Sequence, residues 1–221
     1  MQINKDSLKF LKEIGENNNR EWFTENKLRY QKAQKNLIDF VEDLIEGISL
    51  FDDSIQNIDP AGCVFRIYRD VRFSKNKLPY KTNLGAHMLE GGRKGMHNKA
   101  GYYIHLENDN CFLGGGAYLP PPKWLSAIRE SIDTDPVELR KVISSKNFVK
   151  TFGKLEGDQV KTAPRGFKKD HPDIDLLRYK SFTALRKVSS KELISKDFMQ
   201  ICLKAFKELY PFNEVLNKTS V

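Results

Sequence analysis

The sequence predicts an α+β domain, with helices at both ends of the chain bracketing a run of antiparallel strands. Three observations carry this expectation. Residues 1–59 hold apolar side chains at helical spacing, residues 60–118 alternate with a period of two, and most of the remainder returns to helical spacing. No linker, repeat or low-complexity stretch divides the chain, so residues 1–221 are expected to form one domain.

Asn18 with Glu21 three residues on has the spacing of a capping box and predicts a helix start. From there Phe23, Tyr30, Leu37 and Leu44 recur every seventh residue, joined by Ala33, Phe40, Val41, Ile45 and Ile48. This pattern predicts one amphipathic helix of roughly seven turns ending near Gly47, with Trp22 anchored in the core. After a turn at Asp59-Pro60 the alternation from Cys63 to Asp70 predicts a first strand, and Thr82 to Glu90 a second. Tyr102 to Glu107 and Cys111 to Tyr118 flank an Asn108-Asp109-Asn110 turn and should form a hairpin. Gly114, Gly115 and Gly116 in its second arm allow a bulge or a close approach by backbone or ligand. Past Pro120-Pro121-Pro122, a helix is expected from Lys123 with Trp124, Leu125, Ile128 and Ile132 on one side, and another from Pro136 to Ser145. Residues 157–172 read as irregular, 181–188 as a strand, and Leu193 to Leu209 as a closing amphipathic helix.

Composition excludes several classes. With 39% hydrophobic and 30% charged residues the chain reads as soluble and globular. No window approaches the ~18 uninterrupted apolar residues of a membrane span, and no membrane partner is expected. The first ten residues lack the apolar run of a secretory signal. Cys63, Cys111 and Cys202 are widely spaced in apolar stretches, as buried thiols of a reducing compartment would be, so a cytoplasmic location is expected.

The net charge of +8 is uneven: −4 over residues 1–59, +7 over 60–105, −1 over 106–160, +6 over 161–191 and 0 over 192–221. Two basic blocks can meet and focus a positive potential on one cleft, or lie apart and be solvated. The first block is the more specific. Between Val64 and Asn83 it sets Arg66, Arg69, Arg72, Lys75, Lys77 and Lys81 against a single acid, Asp70, with Phe65, Tyr68, Phe73 and Tyr80 threaded between. A guanidinium presents a planar fork of donors that fits phosphate or carboxylate oxygens in pairs. Strand spacing puts Arg66 and Arg69 on opposite faces, so the cluster belongs where a strand frays into a loop. One reading is an anion cradle in which Asp70 orients an arginine; the other is an edge strand guarded by charge.

His87 and His105 alternate with apolar residues on neighbouring candidate strands and are the acid–base candidates. His97 sits in a glycine-rich loop without a phosphate-loop frame. His171 lies near Asp170, Asp173 and Asp175, but no ligand spacing supports a metal site and none is expected. No nucleophile elbow or dinucleotide fingerprint occurs, and no cofactor is named. Together these residues point to a basic, aromatic-lined pocket for a small anionic, phosphorylated ligand. Arg66, Arg69 and Arg72 would clamp the anion, with added charge from Lys77, Lys81 and Arg165. Tyr68 and Tyr103 would form walls, and His105 or His87 would serve as acid or base if the protein is an enzyme. Two alternatives stand beside it: a nucleic-acid-binding module using a basic and aromatic sheet face, and an interaction protein with an acidic partner.

Several segments together resemble the domain-of-unknown-function family numbered 2461. They are Asn17-Asn18-Asn19-Arg20-Glu21-Trp22-Phe23 with Asn26-Lys27 and Tyr30; Arg66 to Thr82; Gly101-Tyr102-Tyr103 with His105; Gly114-Gly115-Gly116 with Tyr118; and Asp170-His171-Pro172 leading to Leu176-Leu177-Arg178. The resemblance spans nearly the whole chain and implies one domain matching one family from end to end. It brings no reaction, cofactor or catalytic residue with it.

Overall fold

Four strands form one antiparallel sheet in the order β1-β2-β3-β4: β1 Asn83–Met88, β2 Gly101–Glu107, β3 Cys111–Ala117 and β4 Phe182–Val188. The structure, a computed structural model, describes residues 1–220, the side chains of residues 93 and 94 excepted. The β2–β3 pair is the expected hairpin, with His105 opposite Phe112 and Tyr103 opposite Gly114. Register divides the sheet into two faces. Leu84, Ala86, Met88, Tyr102, Ile104, Leu106, Leu113 and Phe182 point to the core and are buried. The opposite face carries Asn83, Gly85, His87, Tyr103, His105, Phe112, Gly114, Gly116, Thr183 and Leu185.

The long helices pack on the core face. α1 (Lys5–Glu16) buries Phe10, Leu11 and Ile14 against α3 (Lys27–Ile48). The short α2 (Arg20–Glu25) lies between them in sequence. The seven-residue repeat is real, but it spans two helices rather than one. The first is capped by Asn19, whose side chain accepts from Trp22 N at 2.9 Å, and the break falls at Asn26. Phe23 and Tyr30 stay on one buried face across that break, with ring centroids 5.4 Å apart, so the apolar period does not register it. Asn18 has another job. Its amide donates to Tyr80 O and accepts from Tyr80 N, both at 3.0 Å, pinning the α1–α2 junction to the basic segment. α3 ends at Ile48, next to Gly47 as expected, and a Cβ at Gly47 would come within 2.6 Å of Leu203, so the glycine is also a contact point for the C-terminal helix.

The predicted strand from Cys63 to Asp70 is not formed. Asp59 accepts from Ala61 N and Gly62 N, and with Pro60 at the first position it starts a helical turn, α4 (Pro60–Cys63). Beyond it the chain makes only isolated bridges, Val64 to Ala86 and Tyr68 to Tyr80. Phe65 N donates to Gly85 O, Lys81 N to Ile67 O and Arg69 N to Pro79 O, so the segment folds back on itself beside the edge of β1.

Between β3 and β4 come α5 (Pro122–Thr134), α6 (Val137–Ile143), α7 (Lys146–Phe152) and α8 (Ile174–Leu177). The third of these, starting at the Ser145 cap, was not expected from the sequence. The irregular residues before β4 are held by arginines: Arg129 donates to Leu177 O and Tyr179 O, and Arg178 to Val160 O and Lys161 O. The closing helix is split. Ser189 and Glu192 form a capping box for α9 (Ser190–Leu193), and α10 (Phe198–Asn217) continues through Pro211. α10 packs along β3 and α3. Buried residues from both ends of the chain and the sheet form one core, in which Cys63, Cys111 and Cys202 are buried. Among the described residues, no helix is long and apolar enough to cross a membrane.

Candidate functional site

The uncovered sheet face is the floor of a cleft of about 670 Å³. Asn83 and His87 from β1, Tyr103 and His105 from β2, Phe112 from β3, and Thr183 and Leu185 from β4 line it. Gly115 and Gly116 bring the β3 backbone to the floor. Gly116 adopts φ +108°, and a Cβ there would stand 2.1 Å from Phe182 O. The basic segment forms one wall through Phe65, Arg69, Asp70 and Lys81, and Met96 and Tyr118 complete the rim.

Three side chains on the same face of β2 form a hydrogen-bonded line. Tyr103 Oη lies 2.9 Å from His105 Nδ1, and His105 Nε2 lies 3.3 Å from Glu107 Oε2. Glu107 also accepts from Thr82 Oγ1 at 2.6 Å and from Asn110 Nδ2 at 2.9 Å, which fixes its carboxylate. A carboxylate can only accept, so His105 carries its proton on Nε2 and offers Nδ1 to the tyrosine hydroxyl. Phe112 stacks on the His105 ring with centroids 4.5 Å apart, and Phe65 meets Tyr103 edge-on. Gly85 permits this placement of Tyr103, because a Cβ at 85 would stand 2.6 Å from Oη.

Burial sets the protonation states. It pulls the His105 imidazole below its ordinary range, against the opposing pull of Glu107. It pushes the Tyr103 phenol up to about 12, with Tyr118 and Glu107 adding to the effect. It would also raise the Glu107 carboxyl, but hydrogen bonds from Thr82, Asn110 and His105 outweigh it and hold the group low. His87 is more deeply buried beneath Tyr103, and desolvation takes it down to about 4. At neutral pH Tyr103, His105 and His87 are therefore neutral, and Glu107, behind His105, is a carboxylate.

The wall supplies positive charge. Arg69 donates to Leu78 O at 3.0 Å and reaches Ser74 Oγ, and no carboxylate pairs with it among the described residues. Lys81 Nζ sits 5.2 Å over the Phe65 ring. Among the described residues Asp70 is the only acid in the lining, and Arg72 grips it with Nε and Nη2, which holds its carboxyl down at about 2. The aspartate thus orients Arg72 rather than Arg69.

Of the residues singled out from the sequence, Arg69, Lys81, His87, Tyr103 and His105 come together in the cleft. Arg66, Arg72, Lys77, Tyr68 and Arg165 are not among its lining residues. Arg72 is occupied by Asp70, Lys77 donates to Val71 O, and Tyr68 packs edge-on against Phe23. Arg66 and Arg165 are exposed, as is His97. His171, in the loop before α8, meets Asp133 of α5 at 2.8 Å. Among the described residues, no group of three His, Cys, Asp or Glu side chains is placed to hold a metal ion. Sequence reasoning missed Glu107, Thr82, Phe112 and Thr183. The signal for Glu107 was present in the alternation Tyr103-x-His105-x-Glu107, which puts all three on one strand face.

The fold and cleft define an α+β protein with one open, aromatic and histidine-bearing sheet face walled by a basic segment. The chain belongs to the family described as conserved hypothetical protein (DUF2461), which matches residues 6–214. Comparison with curated proteins and with solved structures gives no match.

Proposed function

We propose that the protein binds a small anionic ligand of the phosphorylated class in this cleft. The observation that carries the reading is Arg69, a guanidinium without a carboxylate partner among the described residues, at the wall of an aromatic cleft. A cleft of about 670 Å³ admits one small molecule, and its tyrosine, histidine and threonine side chains can orient a polar body. Lys81 adds a second positive charge on the same wall. The three buried cysteines fit a protein of a reducing compartment, and we assign it to the cytoplasm on that ground.

Phenyl phosphate combines an anion with a flat apolar body and is a suitable probe. Calorimetric titration should give saturable binding that Arg69→Met weakens about tenfold or more, the usual scale of a charge-assisted pair. Arg165→Met should change it less than about twofold, since that residue is outside the cleft lining. Equal losses from both variants would show only a diffuse charge effect, and absence of binding at millimolar probe would contradict the proposal.

A second reading has its own observation. Phe73 is 95% exposed at the tip of the basic segment, between exposed Arg72, Lys75 and Lys77. An apolar ring among cations suits base stacking on single-stranded nucleic acid. Filter binding over a salt series tests it. A steep salt slope and loss in Phe73→Ala would support it, and no retention at low salt would end it.

A further inference from the structure

We propose that Tyr103 is a catalytic base, activated through His105 and Glu107, for a ligand anchored on the Arg69 and Lys81 wall. This rests on the anion reading above, but the relay has independent grounds in the geometry. The three groups lie in line on one strand face, at 2.9 and 3.3 Å, and the carboxylate is fixed by Thr82 on Oε1 and by Asn110 on Oε2, the oxygen that also meets His105. A carboxylate aligned with an imidazole, which in turn accepts from a hydroxyl, is the arrangement by which a weak hydroxyl is made basic. Tyr103 and His105, the hydroxyl-bearing end of this line, are both lining residues of the cleft. Two further features hold the tyrosine on that line: the Phe112 stack on His105, and the missing Cβ of Gly85.

The step is a proton abstraction. A ligand bearing an acidic X–H bond places its hydrogen on Tyr103 Oη. The X–H bond breaks, its electron pair stays on X, and Oη takes the proton. In the same step the original phenol proton passes to His105 Nδ1, and the imidazolium so formed donates Nε2–H to the Glu107 carboxylate. The ligand leaves the step as its X anion, and the charge is balanced by the imidazolium. Tyr103 and His105 are the groups in the cleft. Glu107 is a positioning residue that acts through His105. The substrate class is a small phosphorylated or carboxylated compound with a weakly acidic X–H. Burial keeps both Tyr103 and His105 neutral at rest, so Nδ1 is open to receive the proton. Among the described residues, the other charged and titratable groups lining this cleft are His87, Tyr118, Asp70, Arg69 and Lys81.

Two sulfonyl fluorides test the relay without a known substrate: neutral phenylmethanesulfonyl fluoride and anionic 4-(fluorosulfonyl)benzoate. In each case Oη attacks sulfur, the S–O bond forms as the S–F bond breaks, fluoride leaves and the phenol proton goes to His105. Full-length protein is labelled and the modified tyrosine located by peptide mass. The relay predicts that Tyr103 reacts about tenfold or more faster than exposed Tyr68 and Tyr118, a modest share of what a positioned base supplies. The rate should rise with pH through the His105 titration and then level. It should fall about tenfold or more in Glu107→Gln and recover in part in Glu107→Asp. Labelling of Tyr103 no faster than Tyr68, or a rate and pH profile unchanged by Glu107→Gln, overturns the relay. Should the variants fold poorly, nitrogen shifts of wild-type His105 decide: a proton on Nδ1 at neutral pH overturns the proposal.

The two readings fail separately. If both probes label Tyr103 at equal rates and inorganic phosphate gives no protection, the relay stands and the anion wall falls. If the anionic probe is favoured and phosphate protects, yet labelling ignores His105 and Glu107, the anion wall stands and the relay falls.

Discussion

Gly85 and Gly115 show how much one methyl group means at different depths. A Cβ on Gly85 would press on Tyr103 Oη at 2.6 Å, the far end of a side chain that can swing away. Gly85→Ala should therefore cost about 1–3 kcal/mol by denaturant unfolding while breaking the Tyr103–His105 hydrogen bond, seen as a changed His105 tautomer. A Cβ on Gly115 would stand 1.9 Å from the Gly101 carbonyl, where only backbone can yield, and Gly115→Ala should fail to give a folded protein. His87 sets the acid limit. Its pKa falls from 6.5 to about 4 on burial, so between those values the unfolded chain binds more protons than the native one. Its stabilising effect, at most about 3 kcal/mol, is complete above pH 6.5 and is lost as pH drops toward 4. Unfolding midpoints of His87→Leu should depend less on pH than wild type across that window; parallel curves would contradict this. Strand alternation made Tyr103 and His105 legible as neighbours on one face. Glu107 was legible by the same rule, but an acid at a strand end also reads as solvated.

At the scale of elements, the apolar period identified the right faces and missed the joints. Joints are made by hydrogen bonds of single polar side chains, and these leave no period. Asn19 rather than Asn18 caps α2, Asn26 marks the break before α3, and Asp59 starts a helical turn ahead of the expected first strand, which is reduced to isolated bridges. The most consequential joint is Asn18, which satisfies both backbone groups of Tyr80. Tyr80 stacks on Phe23 at 4.0 Å and directly precedes Lys81, so this amide sets where the cationic wall stands. Asn18→Ala leaves a buried N–H and C=O without that partner and should cost about 1–3 kcal/mol. It should also weaken phenyl phosphate binding, although no cation has been removed. Unchanged affinity would mean that the wall is placed by other contacts.

For the whole molecule, charge counts alone could not say whether the two basic blocks share a site. Sheet order supplies the geometry: the first block lies beside the edge of β1, and β4, within the second, is the opposite edge. Thr183 and Leu185 bring β4 into the cleft floor while Arg165 stays outside the lining. The α+β class and the strand hairpin were readable because they follow from local periodicity. The open sheet face was not, because it depends on which side the long β3–β4 excursion and α10 choose to cover. The Gly114-Gly115-Gly116 run was the nearest signal, since glycine in a strand interior marks a close approach, and Gly115 and Gly116 do line the cleft. The central claim is that this face, under Arg69, holds an anion. The most direct test is an NMR titration of the wild-type protein with phenyl phosphate, following the ring signals of His87 and His105. Saturable shifts at both rings that Arg69→Met suppresses are expected. Shifts confined to residues 72–77, with both rings unmoved, would contradict it.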